Sequence, residues 1–355
     1  MSIEKARKEI DSIDGQIVKL LDKRAVKVKN IAAEKSKGHK AVFDPAREAE
    51  VLGKISGKSR VFPKEGIEAV FSEVLSASRS LQGSMKIAFL GPEASFTHMA
   101  AIKKFGQSAE YVPVDSISDV FSAVEKGQVS FGVAPIENST EGTVNHTQDM
   151  FLGSQLNIVG EIYLDIHHHL LSNVRPIEIK KIYSHPQAFA QCRKWLNKNY
   201  PKAELVEVSS TTKGAESATL YHSSAAIASL LAAKKYNLKI ASENIEDLAN
   251  NTTRFLVIGK ALKKRTGKDK TSIVLSVKHE AGALFKALEA FKKHNVNMTK
   301  IESRPTKLKN WEYVFFVDVQ GFLEDDDIKK ALKDMERHTG FINILGSYPE
   351  GNSKS

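Results

Sequence analysis

Ile13, Ile17, Leu20, Arg24, Val28, Ile31 and Lys35 follow one another by three or four residues, so on a helix all seven fall within about 80° of one another. Two of these positions are cations where a core would take leucine, and Arg24 and Lys35 would lie about 16 Å apart along one face. Glu48 shares a face with Leu52 and Ile55, while Ser78 and Gln82 continue the stripe of Phe71 and Val74. A structural bridge to Glu48 would account for one such residue. Five on three short helices, with cations in excess, suit an anionic ligand.

A second constellation is made of hydroxyls and amides that follow strand-like runs. Residues 91–97 come after KIAFLG, 137–142 after VSFGVAPI, 184–187 after KKIY, and Ser209, Ser210, Thr211 and Thr212 after AELVEV. Loops at the carboxyl ends of strands are where open α/β sheets bind ligands, and Ser/Thr loops at helix N-termini can cradle a carboxylate. Helix capping is the simpler role for any single one of them. NNTTRF at 250–255 places Thr253 and Arg254 at the start of a further strand. His167, His168 and His169 read as strand residues, so His167 and His169 could share a face with His168 opposite. With no carboxylate at a clear spacing they make a poor metal site, and structural or surface roles are expected. Cys192 falls in an apolar helical run and is expected to be a buried, unreactive thiol.

The elements that must position these groups have three grammars. The chain has 355 residues, 41% hydrophobic, with 52 Lys and Arg against 42 Asp and Glu. That length suggests two or three domains. Residues 1–84 are helical, running from 3 to 35, then from Asp44–Pro45 through Ile55, then from 64 to 82, and hold half of the net charge of +10. From Lys86 strands alternate with helices, an α/β pattern. Six cations between Lys260 and Lys270 read as a solvated connector, 263–270. Beyond it βαββαβ order predicts a ferredoxin-like sandwich, with helices at 281–293 and 326–337. One cysteine points to a reducing compartment, and an N-terminus without a signal-peptide core points to the cytoplasm. No run is apolar enough to span a membrane. Without a basic sheet interleaved with aromatics or a recognition helix, the charge suits anionic substrates better than nucleic acid.

The first segment resembles the all-helical chorismate mutases fused to aromatic biosynthetic enzymes, over residues 4–82 and through Arg7, Arg24, Lys35, Asp44, Arg47, Glu48, Ser78 and Gln82. The resemblance implies rearrangement of chorismate to prephenate without a covalent intermediate. Arg24, Arg47 and a partner subunit's Arg7 would clamp two carboxylates, with Ser78 on one of them. Lys35 and Gln82 would donate to the breaking ether bond, and Glu48 and Asp44 would hold the hydroxyl. On a helical wheel Arg7 lies about 100° from the Arg24 direction, as expected if it serves another pocket.

GPEASFTH, PIENSTEG, YSHPQAFAQC and NNTTRF together resemble prephenate dehydratase over residues 86–262. That family implies a two-lobed fold like a periplasmic binding protein, one lobe from 86–160 and about 243–262, the other from 161–242, with the active site in the cleft. It gives Thr253 as general acid or donor to the leaving hydroxide. Asn138, Ser139, Thr140, Ser184 and Gln191 would position prephenate, Thr211 would hold a carboxylate, and Arg254 would bind substrate or hold the lobe. The last segment resembles the phenylalanine-sensing ACT domain through Gly282, Ala283 and Leu284 and through Glu302, Ser303, Arg304 and Pro305.

The whole is thus expected to be multidomain, with a three-helix mutase at 1–84, a two-lobed α/β dehydratase at 85–262 and an α+β ACT domain at 271–355. It would turn chorismate into phenylpyruvate under feedback by L-phenylalanine, with no cofactor or metal, no nucleic-acid or membrane partner, and a homodimeric or homotetrameric assembly. An arogenate dehydratase and a non-enzymatic amino-acid sensor are the alternatives.

Overall fold

The computed structural model describes residues 2–37, 42–260, 264–278, 280–305 and 313–351, with the backbone alone for residues 36 and 37. The proline-free periodic run forms α1 (Ile3–Lys37). α2 (Pro45–Ser56) begins at the expected cap, where the Asp44 carboxylate accepts the Arg47 N–H at 3.1 Å and Pro45 supplies a preset φ. α3 (Lys64–Ser80) follows Pro63 and packs on α2. The apolar stripe of α1 does not face an interior within one chain. Ile13, Ile17, Leu20 and Ile31 are 49–63% exposed, and of the apolar members only Val28 is buried. Phe43, by contrast, is buried, its ring 5.1 Å from that of Phe105, and the helices with residues 105–110 make one compact unit.

The three sheets form a second unit. Its first part runs β1 (Lys86–Leu90), α4 (Phe96–Phe105), β2 (Glu110–Val114), α5 (Ile117–Glu125), β3 (Phe131–Asn138), β4 (Gly142–Thr143), α6 (Asn145–Gly153) and β5 (Asn157–Asp165). Next come β6 (His169–Leu171), β7 (Lys181–Ser184), α7 (Pro186–Gln191), α8 (Arg193–Asn199), β8 (Glu204–Glu207), α9 (Thr211–Leu220), β9 (Ser224–Ala228), α10 (Leu230–Lys235) and β10 (Ile240–Ser242). β11 (Thr252–Gly259) returns to the first sheet, whose order is β2-β1-β3-β11-β5 with β4 on β3, while the second sheet is β10-β6-β9-β7-β8.

There are thus two lobes joined by two crossings, as expected, but the first lobe extends through Asp165, because β5 pairs antiparallel with β11 along its whole length. Only His169 of the three histidines is in a strand; His167 and His168 lie in the crossing. β2, β4, β9 and β10 were not expected from sequence. SAAIA of β9 is wholly buried and three of its five residues are alanine, so its strand signature is weak, and EYVPV of β2 tolerates its proline because β2 is an edge.

The C-terminal part is β12 (Asp269–Val277), α11 (Ala283–Lys293), β13 (Met298–Pro305), β14 (Tyr313–Gln320), α12 (Asp326–Met335) and β15 (Thr339–Pro349). It has the predicted βαββαβ order, in a sheet β13-β14-β12-β15. The expected connector is shorter than 263–270: Asp269 and Lys270 already belong to β12 and are buried. Alternation in β12 sends Ile273 and Leu275 to the helices, where they meet Ala287, Phe291 and Ile328. Val274 goes to the other face, in one core with Phe316, Leu345, Phe151, Ile158 and Leu256. Burying each such large side chain contributes about 1.5–3 kcal/mol. β15 comes so close to β5 that a Cβ on Gly346 would sit 2.1 Å from the Ile158 carbonyl oxygen, which leaves room only for glycine.

Candidate functional site

In the helical unit the guanidinium of Arg24 donates to the Ser78 hydroxyl, joining α1 to α3. Burial pushes the Arg24 pKa down, and the nearby Glu48 carboxylate opposes that shift. Lys35 donates to the Val42 carbonyl at 3.0 Å, ahead of α2. Gln82 donates to the Ser78 carbonyl at 3.2 Å, leaving its own Oε1 buried with no partner among the described residues. Glu48 is bonded by Arg79, a buried cation that the sequence reading missed because it lies one residue beyond Ser78 on the helix. Arg24 with Ser78 thus joins α1 to α3 and Glu48 with Arg79 joins α2 to α3, and cations outnumber carboxylates among these groups and Lys35. Asp44 is spent on capping, while Arg7 and Arg47 are exposed, Arg47 pairing with Glu50 at 2.7 Å.

In the two-lobed part, Thr253 is the second residue of β11, opposite Asn138 at the end of β3. Asn138 Nδ2 donates to Thr253 Oγ1 at 2.7 Å and to Asn251 Oδ1 at 2.8 Å, while its Oδ1 accepts from Thr140 N, Thr140 Oγ1 and Glu141 N. Ser139 clips the same turn to Asn250 and Thr252. Gln191, at the end of α7 in the second lobe, reaches back to Glu141 at 2.8 Å and accepts from Asn251 and His168. The cleft wall of the first lobe and Gln191 of the second are thus joined around Thr253.

Ser184 does not reach this cleft: its side chain is fully buried and donates to the Ile227 carbonyl at 2.7 Å. Thr211 opens α9 behind the N-cap Ser210, and the neighbouring Thr212 hydroxyl is buried with no partner among the described residues. Glu246 receives His167 Nδ1 and the His168 N–H, a carboxylate that sequence spacing had not revealed, yet the described residues hold no cluster of three metal-type ligands. Cys192 is fully buried between α7 and α8 rather than within one helix, and burial drives its thiol pKa far up.

Family models described as chorismate mutase type II, prephenate dehydratase and ACT domain match residues 6–83, 87–263 and 271–337. A bifunctional chorismate mutase/prephenate dehydratase of Aquifex aeolicus is 49% identical over 98% of both chains. The chain belongs to the bifunctional chorismate mutase/prephenate dehydratase family. A Pseudomonas aeruginosa protein of the same name is 42% identical over 97% of this chain and 96% of its own. Among solved structures, a prephenate dehydratase from Arthrobacter aurescens in complex with L-Phe has a TM-score of 0.69 at 33% identity, covering 75% of this chain and 90% of that one.

With the modules named, the fate of the remaining expected residues can be read from strand alternation. Arg254 follows Thr253 and so points to the opposite face of β11, away from the cleft. There it bonds Glu161 at 2.7 Å, Asp318 at 2.6 Å and the Tyr348 hydroxyl at 3.0 Å. Lys270 completes the cluster, 2.9 Å from Glu161. Asp318 and Tyr348 belong to the ACT sheet, so the Arg254 side chain ties β11 to that sheet, a contact not expected from sequence. In the ACT module Gly282 caps α11 with φ +80, a left-handed conformation that favours glycine, and Ala283 and Leu284 begin the helix. Along β13 Ser303 and Pro305 are exposed, whereas Glu302 and Arg304 turn to the dehydratase: Glu302 accepts from Thr143 and Arg304 reaches Asp149 at 2.6 Å.

Proposed function

We propose that this chain converts chorismate to prephenate at the helical site and prephenate to phenylpyruvate in the two-lobed cleft, with L-phenylalanine bound by the ACT module restraining the second step. The observation that carries the reading is the bond from Asn138 to Thr253 Oγ1. A hydroxyl that accepts from an amide keeps its own proton for another acceptor, and none of the described residues takes it. Loss of the ring carboxylate as carbon dioxide sends an electron pair into the ring and expels hydroxide. The Thr253 O–H donates to that oxygen as the carbon–oxygen bond breaks, and protonation gives water. Asn138 Nδ2 then steadies the charge that gathers on Oγ1. Thr140, Gln191 and Ser139 shape the wall against which prephenate lies, and Thr211 at the start of α9 receives a carboxylate.

In the mutase, Arg24 and Lys35 hold the carboxylates and ether oxygen of chorismate in one cyclic conformer, with Gln82, Ser78 and Glu48 around it. The apolar stripe of α1, exposed in a single chain, supports a homodimer in which Arg7 of the partner subunit and Arg47 complete each pocket. Module boundaries near 84, 262 and 271 follow the matched ranges. A single, fully buried thiol fits a reducing cytoplasm. The test is incubation of the purified chain with chorismate, and separately with prephenate, with and without L-phenylalanine. Phenylpyruvate from both, suppressed by L-phenylalanine, with Thr253→Ala stalling at prephenate, is the expected result. Turnover of prephenate by Thr253→Ala at the wild-type rate would remove the assigned role.

A further inference from the structure

The bonds around Thr253 form one directed chain. Glu141 Oε1 accepts, so the group of Gln191 that faces it at 2.8 Å is the amide NH₂. That fixes the Gln191 oxygen on the other side, where it accepts from Asn251 Nδ2 at 3.0 Å and lies 2.7 Å from His168 Nε2. An amide oxygen offers no proton, so Nε2 of His168 carries one and Nδ1 keeps a lone pair; Nδ1 is buried with no partner among the described residues. With its nitrogen spent on Gln191, Asn251 turns its oxygen to Asn138 Nδ2, whose second proton goes to Thr253 Oγ1. Every amide in the series has a single orientation that avoids an oxygen facing an oxygen.

His168 and Asn251 are 3% and 2% exposed, and each comes from one of the two crossings between the lobes. The His168 ring meets the ring of Phe96 5.5 Å away and nearly perpendicular to it, and the backbone N–H of His168 is tied to Glu246 at 2.9 Å. Burial also holds the His168 pKa below that of an exposed histidine, which favours the neutral ring that this arrangement uses.

We propose that His168 and Asn251 are positioning residues of the dehydratase, setting the orientation of the amide chain so that the Thr253 hydroxyl can donate only into the cleft. The proposal rests on the reading of Thr253 as donor to the leaving hydroxide. Neither residue touches substrate in this role; both act through Gln191 and Asn138. His168 supplies a neutral N–H at a place where a charged group would be desolvated, and Asn251 supplies one donor and one acceptor in fixed order.

The experiment uses the full-length chain, prephenate as substrate, and the mutase activity of each preparation as the control for folding. His168→Phe keeps a ring but loses the donor, and kcat is expected to fall about tenfold with KM within about threefold. His168→Gln can still donate from its amide and is expected to stay within about threefold of wild type. Asn251→Asp puts a carboxylate oxygen against the Gln191 oxygen, so kcat near pH 8 is expected to fall about tenfold as well. Protonation of the introduced carboxyl restores one donor and one acceptor. Its kcat relative to wild type should therefore climb several-fold as pH falls from about 8 to about 6, since burial raises a carboxyl pKa. The titratable groups facing that position are Glu141 and His168 through Gln191, Glu246 beyond His168, and Asp165 through Thr252. Equal losses in His168→Phe and His168→Gln, or a flat relative pH profile for Asn251→Asp, would reduce both residues to packing and overturn the proposal. Wild-type kcat in His168→Phe and Asn251→Asp, beside an inactive Thr253→Ala, would overturn the chain alone. An active Thr253→Ala would overturn the donor reading and the chain with it.

Discussion

Glu161→Ala should unfasten the ACT sheet from the dehydratase. The Glu161 side chain is fully buried, and its two oxygens take Arg254 at 2.7 Å, Lys270 at 2.9 Å and the Gly351 N–H at 2.8 Å. Asp318 is the second anion of the cluster, 2.6 Å from Arg254 and 2.5 Å from the Ser272 hydroxyl. Two buried cations thus face two carboxylates. Removing Glu161 leaves Lys270, 5% exposed at its side chain, with the Tyr163 hydroxyl as its remaining hydrogen-bond partner among the described residues and no carboxylate to balance its charge. Breaking a buried pair from one side costs about 3–5 kcal/mol, because the surviving ion keeps its desolvation and loses its counter-charge. In a unit of this size each kcal/mol moves the midpoint by about 2–4 °C, so thermal unfolding should drop by about 10 °C.

The pH dependence of that loss has a definite sign. Burial alone would lower the Lys270 pKa, but the Glu161 carboxylate outweighs it and holds the value above that of a free lysine. A raised folded pKa gives stabilisation that is complete below the unfolded value near ~10.5 and is lost as pH rises through the folded one. The gap between wild type and Glu161→Ala should then be fully present at about pH 6 and narrow as pH rises toward the free-lysine value, because in the variant burial acts on Lys270 without its counter-charge. Calorimetry of both proteins across that range is the assay. A midpoint within about 2 °C of wild type would mean that water reaches the cluster and that it is not the fastening described.

Arg304→Ala removes the bond from β13 to Asp149 at 2.6 Å while leaving Gly282 and the start of α11 untouched. L-Phenylalanine should still bind by calorimetry, but inhibition of the dehydratase should need several-fold more of it; parallel loss of binding would instead put Arg304 on the effector. Arg24→Met should lower mutase turnover by at least about a hundredfold, since it removes a half-buried cation from the ligand cluster, and leave prephenate turnover unchanged in the same preparation. His98, His168 and His169 all have pKa values pushed down, by burial first, so folding suppresses their protonation. Stability from this source is present above the unfolded value near ~6.5 and is lost as pH falls below it. Acid unfolding followed by circular dichroism should therefore begin earlier than in His168→Gln.

Much of this protein is written locally. Asp44 followed by Pro45 sets a helix start through bonds that span three residues, and βαββαβ order comes from short runs whose alternation does not depend on distant partners. Four motifs in order carry the resemblance to the dehydratase, although YSHPQAFAQC is largely the helix α7 and NNTTRF opens β11. What the chain could not reveal by itself is which atoms those groups are spent on. Ser184 and Arg254 lie in or beside motifs, yet one donates to Ile227 and the other to Glu161 and Asp318, partners 43, 93 and 64 residues away.

The same holds for residues that carried no signal. Arg79 lies off the polar stripe of its helix, Asn251 stands in NNTTRF with no role of its own, and His168 reads as a strand residue with a structural or surface role. Each acquires its role from a group brought near only by folding: Glu48, Gln191 and Asn138. Periodicity fixes the face on which a side chain stands, since that is a property of backbone geometry repeated every few residues. Pairing of buried donors with acceptors is decided across strands and lobes, because a buried polar group must find whatever partner the packed structure presents and has no water to fall back on. The modules, their order and their chemistry were therefore legible in the sequence. The direction of the amide chain at Thr253 and the charge cluster behind it exist only in three dimensions.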